Sequence, residues 1–260
     1  MNQNQTRNQI VEVEKNKQLQ IIKLSASSVK TFEQCPRKYF FNYIEKAPQK
    51  EWSHLDLGNL CHKTLEIFHN VCINKTTKKP LNKIMSEAFA SARLEYPKLD
   101  DEKIAEAKQM ISDYLNTIKK TGMPIVKCCE QDFEFEIANN VLVRGYIDRI
   151  DITKDGKFKI MDYKTTKNAQ YLEPFQLLIY GMYLKREYPD ITGFVGAYVL
   201  LKHKSQLKEY TFSITDIEDA EKEMIKYANS IKTENIWPTI PSKLCNYCNF
   251  KDICPAQKEW

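Results

Sequence analysis

Two short β-like segments carry the residue types that hydrolytic chemistry needs. In Lys159-Ile160-Met161-Asp162-Tyr163-Lys164, a period of two places Ile160, Asp162 and Lys164 on one face of a strand and Met161 and Tyr163 on the other. A carboxylate and an ammonium therefore project side by side from an otherwise apolar strand. The preceding segment, Gly145-Tyr146-Ile147-Asp148-Arg149, offers a second carboxylate, and pairing of the two segments across Asp155-Gly156 lets Asp148 and Asp162 converge. Two carboxylates in a partly dry site repel unless a cation lies between them or one takes a proton, so a divalent metal is the simplest remedy. His62 offers an imidazole ligand suited to Mg²⁺ or, better, Mn²⁺. Gln176 and Tyr180, four apart on one helical face, are placed to hold a substrate phosphate or a water. Each has a plainer reading: His62 as a surface pair with Glu66, Asp148 and Asp151 as hairpin caps, Tyr180 as the rim of the core. Taken together and in this order, the residues weigh against those readings.

A second constellation is made of thiols. Cys245-Asn-Tyr-Cys248-Asn-Phe-Lys-Asp-Ile-Cys254-Pro puts three cysteines on one tight segment, and Cys35, which also precedes a proline, is the natural fourth. The spacing suits a metal or a cluster, either zinc or iron-sulfur. Such a site would tie the start of the fold to its end. Cys61, Cys72, Cys128 and Cys129 fall in or beside regular elements and read as small buried hydrophobes.

These residues need elements to hold them. From Ser25 the pattern is helical, with Ser25 or Ser27 as N-cap, a break at Cys35-Pro36 and a second short helix through Tyr39, Phe40, Phe41 and Tyr43. Leu57, Leu60, Cys61, Leu65, Phe68 and Cys72 recur with a period near 3.6, which predicts a helix over about 55–72. Two more helices are expected at about 81–95 and 101–120, the latter stopped by Gly122. The period then changes to two. Phe133, Phe135 and Ile137, then 141–151, then 157–164 predict a three-stranded antiparallel meander. A helix after Pro174, a buried strand at 194–202, an edge strand at 207–212 and an amphipathic helix at 215–233 complete the pattern.

The chain has 260 residues, enough for a sizeable core. Its longest apolar run, Phe194 to Leu201, is far short of the ~20 residues of a membrane span. Residues 1–20 are polar and lack a secretory h-region, so the expected location is cytoplasmic, with a flexible tail over 1–23. Neither GxGxxG nor GxxxxGK[ST] occurs, which argues against nucleotide-driven chemistry. Residues 1–50 hold nine basic and four acidic side chains and so carry the whole net charge of +5, a bias that suits a polyanion or simply a solvated lysine-rich surface.

Cys35-Pro36-Arg37-Lys38, Gly58 to His62 with Glu66, Gly145 to Asp148, Asp162-Tyr163-Lys164, Gln176 to Tyr180 and the C-terminal cysteines together resemble the PD-(D/E)XK nucleases. Within these they are similar to the RecB-like branch with a four-cysteine iron-sulfur cluster, including CRISPR-associated exonucleases and the AddB nuclease domain. The resemblance implies an α/β (α+β) fold over 24–260, a restriction-endonuclease-like core with a mixed central β-sheet flanked by helices. The helical insert at 80–122 and the cluster segment at 237–255 with Cys35 would belong to the same domain. It implies His62, Asp148, Asp162 and the Tyr163 carbonyl as ligands of Mg²⁺ or Mn²⁺, and Lys164 as the group that orients water and stabilises charge. Gln176 and Tyr180 would position the scissile strand, and Cys35, Cys245, Cys248 and Cys254 would hold a [4Fe-4S] cluster. The expected substrate is DNA, single-stranded or with free ends and cut exonucleolytically, with a helicase or a recombination or CRISPR-adaptation partner and no membrane. Arg37 and Lys38, beside the aromatic run, are weaker candidates for DNA contact, core packing being the competing use of those rings. A rival reading is a non-catalytic iron-sulfur adaptor that binds DNA for a partner.

Overall fold

The computed structural model describes residues 21–49, 53–73 and 78–256. Its described residues fall into two compact units: one drawn from Met1–Lys50, Phe133–Gly145 and Asp219–Trp260, the other from Glu51–Asp132 and Tyr146–Glu218. The elements in chain order are β1 (Ile22–Leu24), α1 (Ala26–Gln34), α2 (Pro36–Tyr39), α3 (Ser53–Ile73), α4 (Leu81–Arg93), α5 (Asp101–Thr121), β2 (Ile125–Ala138), β3 (Val141–Ile152), β4 (Phe158–Lys164), α6 (Phe175–Glu187), β5 (Gly193–Leu200), β6 (Gln206–Ser213) and α7 (Ile214–Thr233). No described helix is long and apolar enough to cross a membrane.

In the first unit, Ile22–Leu24 pairs parallel with Val141–Val143. Residues 1–20 of the expected tail lie outside the described residues; Ile22 and Lys23, assigned to that tail, are strand instead, because Leu24 and Val143 bury completely and carry their neighbours into register. Ser25 caps α1 through a reciprocal box with Ser28. Cys35 is extended (φ −168°) and Pro36 starts α2, which runs into one π-helical turn over Phe40–Ile44. The aromatic run packs inward: Tyr39 stacks on Trp237 at 5.9 Å and Phe41 meets Phe250 at 5.4 Å. Gly145 is required by packing, since a Cβ there would stand 2.8 Å from the Phe133 ring.

In the second unit, β3 pairs antiparallel with β4, with Arg149 opposite Met161; β4 pairs parallel with β5, and β5 antiparallel with β6. The sheet is therefore mixed. The segments of the expected meander are neighbours in the sheet, β2 pairing with β3 and β3 with β4, and Gly156 in the β3–β4 turn takes the left-handed conformation (φ 82°); β5, expected as a separate buried strand, joins β4 in parallel through the α6 crossover. Met161, Tyr163, Ala197 and Val199 face one side and join a core built by α3, α4 and α5. The insert at 80–122 thus supplies the apolar layer under the sheet, through Met85, Phe89, Met110 and Leu115 among others. Gly122 terminates α5 at φ 86°.

Beneath the sheet lies a dry polar network. Arg149, 3% exposed, forms a two-pronged pair with Asp151 (2.8 Å each) and donates to Tyr163 (2.7 Å), to His69 Nε2 (2.7 Å) and to the Tyr114 hydroxyl. Burial together with the guanidinium holds His69 well below the usual imidazole range, so it accepts at Nε2 as the neutral ring. Of the four cysteines read as buried, Cys61 is, whereas Cys72, Cys128 and Cys129 are half-buried. The latter two lie in β2, near a backbone irregularity that breaks the strand's alternation.

Candidate active site and thiol cavity

β3 and β4 bring the two aspartates together by register. The paired register ends with Arg149 opposite Met161, so one residue further along each strand Asp148 and Asp162 project from the opposite face of the sheet to Arg149 and Met161. Asp148 is held at both oxygens. Its Oδ2 accepts the Tyr163 backbone N–H at 2.6 Å, and its Oδ1 lies 3.2 Å from His62 Nδ1. His62 therefore reaches the sheet from α3 rather than pairing with Glu66, which Lys63 engages at 3.0 Å.

Asp162 is fully enclosed by the residues that the strand and helix spacing singled out. Lys164 Nζ stands 2.6 Å from its Oδ2, and its Oδ1 accepts from Gln176 Nε2 (3.0 Å) and the Tyr180 hydroxyl (3.2 Å). Lys164 also donates to Gln176 Oε1 at 2.9 Å, and Gln176 Nε2 lies 2.6 Å from the Tyr180 hydroxyl. The four-residue spacing on α6 places both side chains over β4. Burial raises the Asp162 carboxyl above its ordinary range, Lys164 opposes that rise and the Asp148 charge adds to it. Burial acts against the charged form of His62, but the Asp148 carboxylate prevails and holds the imidazole up to about 9.

Glu130 was missed by the sequence reading. Its carboxylate, His62 and Asp148 lie with their ligand atoms within 4.8 Å of one another, the one such group of three among the described residues. Burial, then the Asp148 charge, pushes Glu130 up to about 7. Parity along β2 gives no hint of this. In unbroken alternation Glu130 would share the face of Asp132, Glu134 and Glu136, all exposed, but a left-handed backbone at Glu130 (φ 47°) interrupts the alternation. The His62 imidazole and the facing Glu130 and Asp148 carboxylates form a donor set that fits a hard divalent cation of the Mg²⁺ or Mn²⁺ type, with Asp162 outside that group of three.

In the other unit, Cys35, Cys245, Cys248 and Cys254 line one cavity of about 550 Å³, and all four are free thiols. The last three sit on two 3₁₀ turns, Lys243–Tyr247 and Lys251–Ile253. Arg37 and Lys38 line the same cavity. Arg37 donates to the Ile236 carbonyl at 3.0 Å and lies over Phe40 and Phe41, while its buried Nε has no acceptor.

The chain is 27% identical over 213 residues to an ATP-dependent helicase/deoxyribonuclease subunit of Streptococcus pyogenes serotype M1, a match covering 75% of this chain and 20% of that protein. It is 28% identical over 169 residues to the same-named subunit of Streptococcus agalactiae serotype Ia, covering 59% of this chain and 15% of the relative. The chain thus spans about a fifth or less of the length of these curated relatives. A solved structure of a candidate exonuclease from Eubacterium rectale superposes with a TM-score of 0.52 at 12% identity, covering 90% of this chain and 89% of that one, a likeness of fold. The family described as the PD-(D/E)XK nuclease superfamily matches residues 23–255. With that match over nearly the whole sequence, and with the aspartate pair and lysine converging on one face, the chain belongs to the PD-(D/E)XK nuclease superfamily.

Proposed function

We propose that the chain is a divalent-metal-dependent deoxyribonuclease that hydrolyses phosphodiester bonds at the ends of single-stranded DNA. The observation that carries this reading is the convergence of Asp148 and Asp162 on one face with the Lys164 ammonium 2.6 Å from Asp162. His62, Asp148, Asp162 and the Tyr163 carbonyl would hold the cation. When bound, Mg²⁺ or Mn²⁺ supplies charge neutralisation and a lowered pKa for water. The chain's own residues do the rest. The Tyr163 N–H fixes the Asp148 rotamer. Gln176 and Tyr180 fix that of Asp162. Lys164 places a positive charge beside the attacking water and the developing phosphorane.

The four free thiols lining one cavity support a cluster or metal there, an iron-sulfur cluster in this reading with zinc as the alternative. Relatives named as helicase/deoxyribonuclease subunits support DNA as substrate and a helicase as partner.

End-labelled DNA and RNA strands with defined 5′ and 3′ termini, incubated with Mg²⁺ or Mn²⁺ and then with chelator, test this reading. Stepwise shortening of DNA that chelator stops is expected. Binding without products under either metal would replace the enzyme with an adaptor.

A further inference from the structure

The metal centre proposed above leaves one converging carboxylate without a role, and any role for it as a ligand rests on that reading. We propose that Glu130 is a ligand of the same divalent cation, reaching it from β2 on the side of His62. Two observations support the assignment. First, the Glu130 carboxylate stands within 4.8 Å of both the His62 imidazole and the Asp148 carboxylate, a spacing that one cation can bridge and that two bare carboxylates avoid. Second, Glu130 accepts no hydrogen bond from any described side chain, so its lone pairs remain available; Asp148 and Asp162, by contrast, are each fixed by neighbours. A set of one imidazole and three carboxylates also shifts preference from Mg²⁺ toward Mn²⁺, because nitrogen donors favour the softer ion.

Mn²⁺ titration by calorimetry and by electron paramagnetic resonance separates the Glu130 assignment from the metal centre beneath it. Wild type, Glu130→Gln and Asp148→Asn are compared. One tight Mn²⁺ is expected in the wild type, with a loss in affinity of at least about 10-fold in E130Q, since even outer groups of a metal site cost that much. Metal-free E130Q should melt no lower than the wild type, while Mn²⁺ raises its melting temperature less. Unchanged Mn²⁺ affinity in E130Q, with D148N weakened, overturns the Glu130 assignment alone. A wild type that binds no Mn²⁺, or binds it no better than D148N, overturns the metal centre itself. If E130Q keeps its Mn²⁺ affinity but loses cleavage, Glu130 acts otherwise than as a ligand. Glu130→Asp, which keeps the charge and shortens the reach, serves the same comparison if E130Q fails to fold.

Discussion

Replacing Arg149 by methionine is the most severe test of what supports the site. Arg149 and Asp151 are both buried, and their two-pronged pair at 2.8 Å leaves no route for water to replace the lost partner. Arg149→Met strands the Asp151 carboxylate, a loss that costs about 3–5 kcal/mol. At ~2–4 °C per kcal/mol for a chain of this size, the melting temperature should fall by roughly 6–20 °C. The Tyr163 hydroxyl, which Arg149 holds at 2.7 Å, is released at the same time, on the residue whose N–H fixes Asp148. Arg149→Met/Asp151→Leu removes the orphaned charge and should recover most of the loss, since apolar replacement of a buried pair is often neutral. Differential scanning calorimetry at neutral pH reads both variants. A single variant that melts within about 3 °C of wild type, or a double variant no better than the single, would show that the buried pair does not hold the sheet in this way.

Three further outcomes follow from the geometry. Gly181→Ala drives a Cβ into the Phe194 ring and within 3.2 Å of Ile217, so the helix bearing Gln176 and Tyr180 must shift. A cost of ~1–3 kcal/mol with reduced cleavage is expected in melts and turnover assays, and an unchanged variant would show that α6 has slack. In metal-free protein, the His62 pKa is held up to about 9 by Asp148, against ~6.5 unfolded, so its stabilisation is full below that lower value and is lost as pH rises toward 9. Glu130, held up to about 7, acts in the same direction at lower pH. With chelator present, melting temperature should fall between pH 6.5 and 9, and His62→Gln should flatten that fall; a rise over this window would contradict the His62–Asp148 pairing. Protein purified without oxygen should be brown and carry iron and sulfide, and Cys248→Ser should lose both; colourless protein holding zinc would replace the cluster.

Much of the site was legible because strand parity and helical spacing are local rules. Asp162 and Lys164 share a face through a period of two, and Gln176 and Tyr180 share one through four residues; both hold in the structure. The common face of Asp148 and Asp162 followed from the Asp155-Gly156 turn, which joins the two strands in the register that puts Arg149 opposite Met161. The parallel β4–β5 pairing was hidden because it depends on a crossover that brings together strands separated by a helix. Glu130 was hidden because a single left-handed residue resets parity, and φ is not written in a glutamate's chemistry. The Arg149 network was hidden for a related reason. Its partners, His69, Tyr114 and Tyr163, come from three elements far apart in sequence.

Single-turnover cleavage of end-labelled single-stranded DNA at saturating Mn²⁺, by Lys164→Met alongside the wild type, bears hardest on the nuclease assignment. The ammonium sits beside the aspartate pair and is not among its metal ligands, so the variant should still fold, bind Mn²⁺ and bind DNA, each of which is measured alongside cleavage. Its cleavage rate should fall by about 10²–10³-fold, the loss typical of removing one transition-state charge donor. Cleavage by Lys164→Met at the wild-type rate would contradict the assignment of this site to phosphodiester hydrolysis.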